Sequence, residues 1–206
     1  SYKNNLQYQT YDVTELLGGE TELRVIVAGG WAVGSFVFTR KNRVYADRQA
    51  LLLELRITYT DGTEEVIGTD ETWSVTEDGP FKMADIYDGE TYDATCGWNQ
   101  VQWKRAAIEQ LRIHPKIMAD YGDPVIAHER LEPITCTEHD GKLIYDFGQN
   151  FAGVVHLTIN GKRNQVITVK HAELLNPDGS LNIKFLRTAK AAATYTCVDG
   201  IQTYSP

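Results

Sequence analysis

The chain has 206 residues, 42% hydrophobic and 23% charged, with a formal net charge of −8. That length holds one large domain or two small ones, enough to bury a core. The acidic balance argues against a nucleic-acid surface, which needs clustered Lys and Arg to release counterions, and it suits neutral sugars or a metal ion instead. No apolar run is long enough to span a membrane as a helix. Cys96, Cys136 and Cys197 lie far apart without a CxxC pair, so buried free thiols are expected, not zinc or a disulfide framework. Ser1 to Leu6 lack a signal-peptide pattern, which favours the cytoplasm only if they are a natural N-terminus.

In chain order, Asp12 is placed to cap a single helical turn over Val13 to Leu17, with Glu15 three residues on and Gly18-Gly19 as the stop. Alternation begins at Leu51. Leu51, Leu53, Leu55, Ile57 and Tyr59 share one face and Glu54, Arg56 and Thr58 the other, as in a half-buried strand. This strand runs into Asp61-Gly62 and then Thr63 to Ile67, so 51–67 reads as a hairpin with a two-residue turn. Trp103 to Leu111 fits a short helix or a strand extension equally well. Between His114-Pro115 and Asp123-Pro124 the periodicity stops, and the chain divides there into 1–114 and 115–206.

In the second half Val155, Leu157 and Ile159 lead through Asn160-Gly161 into a return strand. Its buried face is either Val166, Thr168 and Lys170 or Ile167, Val169 and His171. Asp-Gly or Asn-Gly pairs begin at 61, 78, 88, 140, 160, 178 and 199, and these residues tolerate the positive φ of tight turns. Seven such signals predict an all-β, strand-and-turn architecture.

The first half carries Gln7 to Leu17 with Gly29-Gly-Trp-Ala-Val-Gly34, then Thr69 to Trp73, Gly79-Pro80, Asp85-Ile-Tyr-Asp-Gly-Glu-Thr-Tyr-Asp-Ala94 and Gly97-Trp98. The second half adds Tyr145-Asp-Phe-Gly-Gln-Asn-Phe-Ala-Gly153, His171-Ala-Glu-Leu174, Asp178-Gly179 and Leu186-Arg187. In order and spacing these segments resemble bacterial α-L-rhamnosidases. Two departures from the family pattern stand out: Ala192-Ala193 stands where Thr-Asp precedes the Thr-Tyr of the last strand, here Thr194-Tyr195, and Asn164 replaces a glycine in the turn after Gly161. The resemblance implies two antiparallel β-sandwich (jelly-roll-like) domains, a galactose-binding-like N-terminal sandwich lacking its first strand and a second sandwich lacking its closing strand. Exposed edges of that kind invite weak self-association.

The resemblance also implies a parent enzyme that cleaves terminal α-L-rhamnose from rhamnosides with inversion, through an acid and a base carboxylate. Those carboxylates belong to a helical barrel, none of whose sequence is present, so the chain alone is expected to be inactive.

The densest candidate site is Asp85, Tyr87, Asp88, Glu90, Tyr92, Asp93 and Trp98. Carboxylates grip sugar hydroxyls or Ca²⁺, and aromatic rings stack on a sugar's apolar face. The same residues also read as an Asp-Gly turn, cross-strand tyrosines and loop caps. An EF-hand loop fails, because Tyr87 stands where an oxygen ligand is required. Related rhamnose-binding modules use calcium, which keeps that ion among the expectations.

A second cluster, Asp146, Gln149 and Asn150 with Phe147 and Phe151, reads as turn chemistry, and His171 and Glu173 read as a same-face surface pair. Trp31, Trp73, Trp98 and Trp103 are expected as core anchors. Three functions remain open: an accessory part of a glycoside hydrolase, a rhamnose-binding module, and an interaction domain that merely shares the fold.

Overall fold

The computed structural model describes residues 4–36, 38–110 and 114–206. Fourteen short strands make up most of the regular structure: β1 Asn5–Tyr8, β2 Glu54–Thr58, β3 Glu64–Gly68, β4 Ser74–Val75, β5 Phe81–Asp85, β6 Gly89–Asp93, β7 Lys104–Arg105, β8 Lys116–Ala119, β9 Thr135–His139, β10 Lys142–Asp146, β11 Leu157–Gly161, β12 Val166–Lys170, β13 Ala192–Thr196 and β14 Gly200–Tyr204. One four-residue helical turn, Gly30–Val33, and three 3₁₀ turns complete the described elements. None of the described helices is long and apolar enough to cross a membrane.

The turn chemistry acts where the sequence places it. Asp140 and Gly141 both have positive φ, 49° and 69°, and close β9 on β10 by the two-residue route. The β2–β3 hairpin differs from expectation. Tyr59 N–H bonds the Thr63 carbonyl and Gly62 N–H bonds the Tyr59 carbonyl, so three residues form the loop, with Gly62 at φ 85° and Asp61 accepting from Thr63. The alternation holds there, with Leu55 and Ile57 half-buried and Glu54, Arg56 and Thr58 exposed. Asp12 accepts from the Thr14 N–H and hydroxyl, capping a 3₁₀ turn over Thr14–Leu16. Trp103 to Leu111 yields a strand, β7, paired with β4. Leu111 itself lies outside the described residues.

The second predicted hairpin is corrected. β11 pairs with β14 and β12 with β13, because residues 162–165 turn the chain from one sheet into the other. Asn164 takes φ 64° there, a conformation that Asn tolerates better than most residues. Ile167 and Val169 are the half-buried face of the return strand. The central sheet runs β12-β13-β6-β5, and β6 and β13 pair in parallel. β1 and β8 also pair in parallel. Strands from either side of residue 114 are therefore hydrogen-bonded to one another.

The core lies on this sheet. Ala193, Tyr195, Cys197 and Tyr204 are buried, with Tyr92, Leu157, Ile159, Ile167 and Val169 against them. Tyr195 and Tyr204 stack at 4.4 Å and 9°. Of the cysteines only Cys197 is buried. Cys96 is intermediate and Cys136 exposed, since Cys136 lies on a two-stranded sheet without a covering layer. Trp31 and Trp103 are 38% and 45% exposed, so they are not core anchors either.

Much apolar surface stays open, including Tyr121, Val125 and Ile201. The chain exposes 16,627 Å². A compact monomer of its mass exposes about 9,700 Å².

Candidate functional site

The seven candidate residues fall on the β5–β6 hairpin and the turn after it, in three separate environments. Asp85 ends β5 and organises the hairpin loop: its Oδ1 accepts the N–H groups of Tyr87 and Asp88 at 2.8 and 3.1 Å, and its Oδ2 accepts that of Ser35 at 3.0 Å. Burial pushes the Asp85 carboxyl up, but these backbone donors outweigh it and hold the group below the usual carboxylate range. Tyr87 packs edge-on against Trp31 at 5.3 Å.

Asp88 is 8% exposed and holds two cations on one oxygen, Arg40 at 2.6 Å and Lys190 at 3.1 Å. The Arg40 hydrogen bond lowers its pKa against the opposing effect of burial, and Lys190 adds to it. Asp88 Oδ1 and Arg40 Nη1 are buried without partners. The loop is also stitched to the segment entering β13: Lys190 and Ala191 donate to the Tyr87 carbonyl, and Ala192 donates to that of Asp88. Gly89, at φ 99°, lies so close to this segment that an added Cβ would sit 2.2 Å from the Ala192 carbonyl oxygen.

Glu90 and Tyr92 belong to the sheet. Glu90 stands opposite Ala84 and Ala193, and burial raises its pKa. Tyr92 packs on Phe81 at 4.9 Å and on Tyr204 at 5.8 Å, and burial likewise raises its phenol. Asp93 caps the next turn, accepting the N–H and hydroxyl of Thr95 at 2.9 and 2.6 Å. Trp98 rides over Gly79, where a Cβ would meet the indole at 2.6 Å, and stacks on Trp103 at 6.1 Å and 25°.

The hairpin thus gathers the candidates without converging them on one point. Among the described residues no group of three or more His, Cys, Asp or Glu is placed to hold a metal ion.

Sequence reasoning missed Arg40, Lys190 and Ser35, which reach Asp85 and Asp88 across large sequence separations and carry no local signal. In the second cluster Asp146 accepts the Gly148 N–H at 2.7 Å, and Phe147 packs edge-on against Phe151, as turn chemistry requires. His171 pairs its Nδ1 with the Ala191 carbonyl at 3.1 Å, not with Glu173, because β12 ends at Lys170 and releases the alternation.

Comparison with known proteins places these sheets among the β-sandwich domains of glycoside hydrolases. The chain belongs to the α-L-rhamnosidase family: the alpha-L-rhamnosidase N-terminal domain matches residues 1–138, and the bacterial alpha-L-rhamnosidase concanavalin-like domain matches 136–206. An alpha-L-rhamnosidase of Streptomyces avermitilis is 37% identical over the whole chain, and one of Formosa agariphila is 29% identical over 94% of it. The chain spans only 21% and 22% of those proteins.

The crystal structure of the Streptomyces avermitilis enzyme complexed with L-rhamnose superposes with a TM-score of 0.83 at 34% identity, covering all of this chain and 21% of that one. The native Aspergillus terreus enzyme gives 0.75 at 26% identity, covering 97% of this chain and 24% of that one.

Proposed function

We propose that the chain is an accessory β-sandwich part of a larger α-L-rhamnosidase, supporting and walling an active site that further polypeptide supplies. The open surface carries this reading. An excess of roughly 7,000 Å² over a compact monomer is far more than a standard protein–protein interface of about 1,600 Å² buries, so the chain is suited to being covered on several sides. The whole enzyme would remove terminal α-L-rhamnose with inversion, its acid and base lying outside these residues. Assay of the chain alone on an aryl α-L-rhamnoside is expected to give no rate above background. Turnover that survives repurification overturns the proposal.

A rhamnose-binding role is the second reading, favoured by the stacked Trp98–Trp103 pair with its exposed Trp103 and by the polar hairpin beside it. Titration with L-rhamnose, with and without Ca²⁺, followed by tryptophan fluorescence, decides it. A saturable change confined to residues 85–98 supports binding, and a calcium requirement would add the ion. Among the described residues the outer edges of β5 and β12 have no strand partner, which also suits weak self-association, and sedimentation across concentrations tests it. An interaction domain that merely shares the fold loses its basis, because both halves match rhamnosidase domains.

A further inference from the structure

The central sheet leaves two neighbouring polar groups of one face unpaired. Directly opposed residues on adjacent strands share a face, as do residues two apart on one strand. The pairings of Glu90 with Ala84 and Ala193, and of Tyr92 with Tyr195, therefore set Glu90, Tyr92 and Tyr195 together on the face that carries the core. Tyr204 covers the Tyr195 end of that face, while Glu90 and Val169, further along, remain half-buried.

No described residue gives Glu90 a hydrogen bond or an ion pair. Tyr195 is 1% exposed, and its hydroxyl is buried without a partner. The charge of Glu90 reaches both phenols: burial first and then Glu90 raises Tyr92 and Tyr195, the latter to about 12. The residues directly opposite Glu90 on both neighbouring strands are alanines, Ala84 and Ala193, which offer its carboxylate no polar partner.

A carboxylate on an apolar face is costly unless a cation and hydrogen-bond donors meet it. Asp88, two residues earlier in the same hairpin, has two cations, and Glu90 has none. Of the arginine and lysine side chains, the guanidinium suits the place better. It is planar, weakly hydrated, presents several donors and lies readily against aromatic rings, whereas an ammonium group holds its water strongly.

We infer that Glu90 is a docking point for an arginine side chain of the polypeptide that covers this face, the guanidinium bonding Glu90 beside the Tyr92 and Tyr195 phenols. The source is argued from the open surface and from relatives about five times longer than this chain, and the inference rests on the accessory reading above. The arginine supplies the charge that the sheet lacks, while the Tyr195 hydroxyl stays enclosed beneath Tyr204.

The test titrates the full 206-residue chain with N-acetyl-L-argininamide at constant ionic strength, following the side-chain carboxyl ¹³C resonance of Glu90. A saturable shift is expected. It should be matched by amide shifts at residues 84 and 193 that disappear in Glu90→Gln, and N-acetyl-L-lysinamide should bind several-fold more weakly. No saturable shift at Glu90, undiminished amide shifts in Glu90→Gln, or equal binding of the lysine compound overturns the inference. Glu90→Gln removes a desolvated charge and is expected to fold, and the wild-type titration stands without it. Failure here leaves the accessory reading intact, since hydrolysis by the isolated chain decides that one.

Discussion

Replacing Gly89 with alanine tests the junction where β6 meets β13. Two separate costs arise. The first is conformational: at φ 99° an L-residue is strained, which costs on the order of 1–3 kcal/mol. The second is steric. The new Cβ would lie 2.2 Å from the Ala192 oxygen and 2.8 Å from its carbonyl carbon, both backbone atoms of the neighbouring parallel strand, which cannot rotate away. Forcing atoms into a filled site costs roughly 1–3 kcal/mol more. Gly200 separates the two terms, because it has nearly the same φ, 101°, and nothing within 4 Å of its added Cβ. Gly200→Ala therefore carries the first cost alone. Urea unfolding of both variants should place Gly89→Ala below Gly200→Ala by roughly 1–3 kcal/mol at similar m-value. Equal losses would refute the claim that contact with β13 is what demands glycine at position 89.

Two further outcomes are expected. Asp88→Asn should destabilise by roughly 1–3 kcal/mol, the range for hydrogen bonds to charged groups with part of the pair solvent-screened. Because the folded pKa of Asp88 lies below its unfolded value, its contribution is present above the usual aspartate range and is lost as pH falls through the folded pKa; the difference in unfolding free energy between wild type and variant should shrink as pH is lowered through that range. Tyr195→Phe should cost no stability in the same urea assay, since its hydroxyl has no partner and its removal ends a desolvation penalty. A loss well beyond about 1 kcal/mol, the worth of a typical hydrogen bond, would reveal a bond that the structure lacks.

The hairpins were legible where the signal is local. Asp140-Gly141 and the Leu55–Ile57 alternation behave as the residues dictate, because turn φ values and period-two burial depend on near neighbours. The second hairpin was misread for a related reason. Asn160-Gly161 is a sound turn signal, but whether the next strand returns to the same sheet depends on β13 and β14, some 30 residues further on. Trp31 and Trp103 were assigned to a core on hydrophobicity alone, which does not reveal how much of a covering layer the fold provides.

At the candidate hairpin, the sequence by itself determined that Asp85 to Trp98 would combine a tight turn with carboxylates and aromatic rings. Residue type and spacing are local properties, and so is the capping by Asp93. Only the tertiary structure decided that Asp88 is neutralised by Arg40 and Lys190 while Glu90 is left alone, since charge pairing depends on which distant segments the sheet order brings within a few ångströms. The parallel pairing of β6 with β13 brings Lys190 to Asp88, and the segment after the Gly30–Val33 turn brings Arg40.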